Sequence, residues 1–311
     1  MATTAPLART ATTTHRRRSR RMARRRNIEG WLFIAPVILG VVIFQLFPIV
    51  VSMYASLTSW NGINPPKFIG LENFRTLFGN DALFTTTVKN TIYFTIGTIP
   101  LTIILAFFLA MLCNQKVRGI AIFRTAYFAP YVTNIVAIGF VWFYFFDPSQ
   151  GVVNGLLSQI GVHGPAWLSD SNWVIPALIV VSVWQGVGYP MVILLAGLQG
   201  ISAEIQEAAT VDGANAFRRT WSIILPLLTP QFFFLLITQF ISSFQVFGLI
   251  YVMTQGGPGH DSSVYIYYLY QNAFAYGKMG YASAMAWLMF VLIAAITFIQ
   301  WKLQKRWVFY G

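Results

Sequence analysis

Residues Val88–Cys113 read VKNTIYFTIGTIPLTIILAFFLAMLC, with one charge, Lys89, near the edge. A helix needs about 20 predominantly apolar residues to cross a bilayer core. Five further stretches meet that length: Trp31–Tyr54, Ile120–Phe146, Trp173–Leu198, Phe232–Met253 and Tyr281–Leu303. Pro130 and Asn134 interrupt the stretch Ile120–Phe146. Proline is tolerated in membrane helices where neighbours satisfy the freed carbonyl. The pattern predicts an all-α membrane protein of six transmembrane helices.

Composition agrees. The chain has 311 residues, 56% hydrophobic and only 10% charged, against about 25% charged in soluble domains. So few charges cannot cover a water-facing surface, which excludes an ordinary soluble enzyme and also disorder. Net charge is +12, but nine of the 21 Lys and Arg precede residue 27. The basicity therefore belongs to a tail and not to a folded nucleic-acid-binding face. Residues 1–29 are expected to form a basic cytoplasmic tail, disordered and held inside by its charge. A transit peptide, or contact with anionic lipid or nucleic acid, is the competing reading of that tail. Residues 30–305 form the six-span domain, and 306–311 a short cytoplasmic end.

Loop charges orient the spans. With the N-terminus inside, 17 Lys and Arg lie on the cytoplasmic side and four, Lys67, Arg75, Lys89 and Lys278, outside. Both termini are then cytoplasmic. Trp31, Trp60, Trp173, Trp301 and Trp307 fall near span ends, where aromatic belts form.

The spans hold no Asp, Glu, Lys, Arg or His deep inside. Ion-coupled carriers and voltage sensors usually carry such groups. No phosphate-binding G-x-x-x-x-G-K-[ST] loop, H-E-x-x-H zinc motif or Ser/His/Asp cluster is present, and the three His are far apart, so no cofactor or metal is expected. His260–Asp261 sits beside glycines and reads as a turn. Neutral polar and aromatic residues do interrupt the spans: Tyr131, Thr133 and Asn134; Ser182, Trp184, Gln185, Gly186 and Tyr189; Gln239, Ser242, Ser243 and Gln245. Each needs a neighbouring helix or a wet cavity. Taken together they suit a sugar, whose hydroxyls pair with amides and whose ring faces lie on aromatic rings.

Between the fourth and fifth spans lies Gln199–Gln231, too polar to cross. Ser202 is placed to cap a helix, with Glu204 and Glu207 in its first turns. Ile205, Ala208 and Ala209 share a small face, and Asp212–Gly213 ends the helix at a turn. A second short helix runs to Ser222, and Pro226 and Pro230 redirect the chain.

Glu207-Ala208-Ala209, then Gly213, then Ile223, Leu225 and Pro226 resemble the EAA loop of binding-protein-dependent ABC importer permeases. Asp212-Gly213-Ala214, Thr254-Gln255-Gly256-Gly257-Pro258, Arg124–Tyr131 and Gly280–Ala284 are similar to the maltose-type sugar branch. The resemblance implies a type I ABC importer permease fold (MetI-like) in its six-span form, in a bacterial or archaeal cell membrane. It implies a second permease subunit, an ATPase subunit dimer, an extracytoplasmic substrate-binding protein and membrane lipid as partners, and no nucleic acid. By the same resemblance Glu207, Ala208, Ala209, Asp212 and Gly213 couple the spans to the ATPase. Tyr131, Ser182, Gln185, Gly186, Tyr189 and Ser243, with Gln245 nearby, line the sugar pathway. Ser182, Gln185 and Ser243 differ in type from the maltose pattern. The implied function is sugar import by alternating access, with ATP hydrolysis on partner subunits. An importer for glycerol phosphate or peptide, an ion-coupled carrier and a membrane scaffold are the alternatives.

Overall fold

The computed structural model describes residues 29–309. Residues 1–28 and 310–311 lie outside the described residues, and with them all but Glu29 of the expected disordered tail. Contacts divide the chain at Ala55 and Ser56. The first unit contains most of α1, Glu29–Ser56, an apolar helix of 28 residues with a π-helical segment at Val42–Leu46.

In the second unit, a short antiparallel hairpin, β1 (Thr58–Ser59) with β2 (Lys67–Phe68), pairs Thr58 with Phe68. Helix α2 is Glu72–Gly79 and α3 is Ala82–Cys113. Next come α4 (Ile120–Val132), α5 (Ile135–Phe145) and α6 (Val152–Gln159), then α7 (Val174–Gly186) and α8 (Gly188–Gly200). The fourth loop holds α9 (Ala203–Val211) and α10 (Ala216–Arg219). Then follow α11 (Thr229–Phe244), α12 (Gly248–Met253), α13 (Tyr265–Tyr270) and α14 (Met279–Leu303).

Among the described residues, four helical segments are each long and apolar enough to cross a membrane. Counting the bent pairs α4–α5 and α7–α8 as one span each gives the expected six. The break predicted by Pro130 and Asn134 is a corner of 98° between α4 and α5. Asn134 makes it by leaving helical geometry and capping α5, its side chain accepting from Val136 N at 2.8 Å. The 45° bend between α7 and α8 falls at Val187, just before Gly188. A Cβ on Gly188 would stand 2.5 Å from Tyr127 O, so only glycine lets α8 approach α4 this closely.

Helix α3 is the axis of the second unit, packing on α7, α8 and α11. Asp81 caps it, accepting from Phe84 N at 2.9 Å. Three core layers lie along it. Phe84 packs with Leu77, Tyr265, Tyr268, Met285 and Met289 at one end. Phe94 joins Ile138, Leu178, Ile250 and Tyr267 in the middle. Ala106–Cys113 meets Met191, Leu194, Ile224, Leu228 and Leu235 at the other end. Asn90 Nδ2 donates to His260 O at 3.1 Å and Ser263 O at 3.0 Å, pinning the loop after α12 to α3. His260 and Asp261 belong to successive turns there, with Asp261 N donating to Pro258 O.

Candidate functional site: a polar cavity and an exposed elbow

Halfway along α3 a cavity of about 230 Å³ opens between α3, α4, α7, α8 and α11. Tyr131, Ser182, Gln185, Gly186, Tyr189 and Ser243 all line it, brought together from four helices. Gln245 does not line it; it ends α11 and donates its backbone N–H to Ile241 O and Ser242 O. The Tyr131 and Tyr189 rings stack at 5.3 Å with 17° between their planes. The wall therefore offers one flat aromatic platform and a set of amides and hydroxyls. No Asp, Glu, Lys, Arg or His is among the described residues lining it.

Gln239 and Ser242, noted above only as polar interruptions, also line the cavity, as does Thr238. Phe94 and Thr98 contribute from α3, which the sequence reading passed over. A signal was there: Thr87, Thr91, Thr95, Thr98 and Thr102 recur at helical spacing and are all buried. Threonines in membrane helices usually donate to a carbonyl one turn back, as Thr91 does to Thr87 O at 2.7 Å. The hydroxyls of Thr95, Thr98 and Thr102 are buried without a partner.

The elbow lies at the Cys113 end of α3. Helix α9 starts after Ser202, whose side chain makes no capping bond, so the expected cap is positional only. Its end is a Schellman motif: Ala214 N donates to Ala209 O at 2.9 Å and Gly213 N to Thr210 O at 3.1 Å. Gly213 occupies the left-handed position at φ +77°. Asn215 then caps α10, accepting from Arg218 N at 2.8 Å. The second arm does not stop at Ser222. It continues through a π-helical segment, Thr220–Ile224, and on through Leu227, because proline fits the first turn of the segment Leu225–Leu227. Arg219 Nη1 donates to Thr210 Oγ1 at 3.2 Å, bracing one arm against the other.

Glu207, Ala208, Asp212 and Gly213 are exposed, whereas Ala209 is buried. The apolar face expected of Ile205, Ala208 and Ala209 is thus buried only at Ala209. Val211, Phe217 and Trp221 are exposed on the elbow, which sequence reading did not single out; Phe217 and Trp221 are in ring contact at 5.9 Å. Clustered exposed apolar groups mark an interaction surface. Ile224 and Leu228 are buried against α3 and α8 at the elbow's base.

Comparison with known proteins gives this arrangement its family. Residues 99–309 match the family described as binding-protein-dependent transport system inner membrane component. The probable ABC transporter permease protein YesP of Bacillus subtilis (strain 168) is 39% identical over 294 residues, covering 93% of this chain and 94% of that protein. The probable starch degradation products transport system permease protein AmyD of Thermoanaerobacterium thermosulfurigenes is 37% identical over 278 residues, covering 89% and 94%. Among solved structures, a bacterial alginate ABC transporter in complex with an alginate pentasaccharide-bound periplasmic protein shares the fold. Its TM-score is 0.79 at 24% identity, covering 91% of this chain and 96% of that one. With residues 99–309 matching that family, this chain, with its polar cavity halfway along α3, belongs to the binding-protein-dependent transport system inner membrane components, the permeases of ABC importers.

Proposed function

We propose that this chain translocates a neutral sugar or oligosaccharide into the cytoplasm as one of two permease subunits of an ATP-driven importer. The observation that carries the reading is the cavity wall: stacked Tyr131 and Tyr189 beside Ser182, Gln185, Gln239 and Ser243, with no charged side chain among the described lining residues. Amides and hydroxyls exchange hydrogen bonds with sugar hydroxyls, and aromatic faces take the apolar ring faces. A phosphorylated solute would call for Arg or Lys. The relative named for starch degradation products supports the same class.

The elbow supports a coupling role. Glu207, Ala208, Ala209, Asp212 and Gly213, with exposed Val211, Phe217 and Trp221, would dock on a separate ATPase subunit that hydrolyses ATP. Closure of the ATPase dimer would push the elbow and rock the helices around the cavity between outward- and inward-open states. The elbow side is cytoplasmic in this reading, as are both termini. An extracytoplasmic binding protein would deliver substrate at the opposite side; the solved alginate transporter is in complex with an alginate pentasaccharide-bound periplasmic protein.

The test is uptake of labelled oligosaccharides by cells lacking this chain, complemented with wild type, with Gln185→Ala or with Tyr189→Ala. Uptake restored by wild type alone supports the assignment. Full restoration by Gln185→Ala and Tyr189→Ala alike would remove the cavity from the pathway.

A further inference from the structure

At the Asp81 end of α3, opposite the elbow, lies a second cavity of about 690 Å³. It is walled by the loop after β1, the end of α2, α13 and the start of α14. From Asp81 to Thr98 along α3 is about 25 Å at the helical rise, so the two cavities are separate. Of the sequence motifs, only Gly280–Ala284 reaches this one, through Tyr281.

Its walls are fixed by internal hydrogen bonds. Asn61 Oδ1 accepts from Ile63 N at 3.1 Å and Asn64 N at 2.9 Å, shaping the turn. Gly280 N donates to Trp60 O at 3.0 Å, tying that turn to α14. Asp81 accepts from Tyr268 Oη at 2.7 Å and from Tyr281 Oη. Facing the space are Trp60, Asn64, Asn80, Asp81, Lys278 and Tyr281.

That chemistry selects a ligand. The charged groups in the wall are one carboxylate and one ammonium, Asp81 and Lys278, so the pocket carries no net preference for an ion. Asparagine amides both donate and accept, which matches hydroxyl groups. Trp60 and Tyr281 supply aromatic surface for sugar ring faces. The volume lies within the roughly 300–1,000 Å³ of small-molecule sites. A protein-docking face would have an apolar centre, and this lining is polar.

We propose that this pocket is a second binding site for a neutral saccharide, a station reached before the midplane cavity. The inference rests on the sugar reading above. It is tested with the purified complex of this chain and its companion subunits in lipid nanodiscs, titrated with maltose and with lactose and followed by calorimetry and saturation-transfer NMR. The variants are the double Asn64→Ala/Asn80→Ala and, for the midplane, Tyr189→Ala, each checked for wild-type helicity and elution. Wild type is expected to show two binding components. The double variant weakens one by about tenfold, as loss of two amide partners implies, while Tyr189→Ala leaves that component intact. A double variant that titrates like wild type overturns the pocket and leaves the sugar reading standing. So does a double variant that loses only its association with an external binding protein, since the occupant is then a protein. Wild type that binds neither disaccharide at either site defeats both readings together.

Discussion

The guanidinium of Arg124 donates Nε at 3.3 Å and Nη2 at 2.8 Å to the carbonyl of Cys113, the last residue of α3. One charged side chain of α4 thereby closes the C-terminus of the axial helix, where the dipole favours a cation. Hydrogen bonds from a charged donor contribute about 1.5–3 kcal/mol. Arg124→Met is expected to lower the thermal midpoint in detergent, and Arg124→Lys to recover part of the loss, since a single ammonium cannot reproduce the two-nitrogen contact.

Gly213 has a different kind of constraint. Its φ is +77°, yet a Cβ there would meet no atom within 4 Å. Gly213→Val therefore carries a backbone cost of about 1–2 kcal/mol with no internal clash. The expected result is a normally inserted protein whose uptake and transport-linked ATP hydrolysis are abolished, because the side chain projects where the ATPase would dock. Measuring insertion and uptake on the same membranes separates the two effects.

Loss of the tyrosine stack should act on transport with little effect on assembly. Aromatic pairs contribute about 0.5–1.5 kcal/mol beyond area. Tyr189→Ala should reduce uptake several-fold with complex yield unchanged, and Tyr189→Phe, which keeps the ring, should retain most of it. Equal uptake by both variants and wild type would count against the platform.

Asp81 makes its end of α3 pH-sensitive. Burial pushes its carboxyl up, but hydrogen bonds from Tyr281, Tyr268 and the backbone of Phe84 and Leu83 outweigh that and hold it below the usual carboxylate range. A lowered carboxyl stabilises the fold fully above its unfolded value, about 3.9. That contribution is lost as pH falls through the folded value. Tyr268 is the converse: burial first, then the bond to Asp81, push it up to about 12. Its contribution is intact below about pH 10 and disappears as pH rises toward its folded value. Thermal midpoints should fall at both extremes, and Asp81→Asn should flatten the acid limb.

The spans and the elbow were legible because their signals are local. Apolar length reports a membrane helix, and the Asp212–Gly213 pair reports a helix end whose left-handed residue only glycine favours. The cavity was partly legible, since Tyr131, Ser182, Gln185, Tyr189 and Ser243 interrupt apolar runs. Thr98 was missed because threonine is common in membrane helices and usually bonds to its own backbone. Only the packed arrangement shows its hydroxyl without a partner. The pocket around Trp60 and Asn80 was invisible because it joins residues more than 200 positions apart, such as Trp60 and Lys278. Val211, Phe217 and Trp221 read as ordinary apolar residues until their exposure was seen.

The right-angled corner at Thr133–Asn134 has a consequence for how the protein is made. Acyl chains cannot hydrate the peptide groups freed at such a turn, and both residues are exposed in the isolated chain. The second permease subunit proposed above would shelter that flank in lipid. Cells that synthesise this chain without its companion should therefore degrade it, and co-synthesis should lengthen its lifetime.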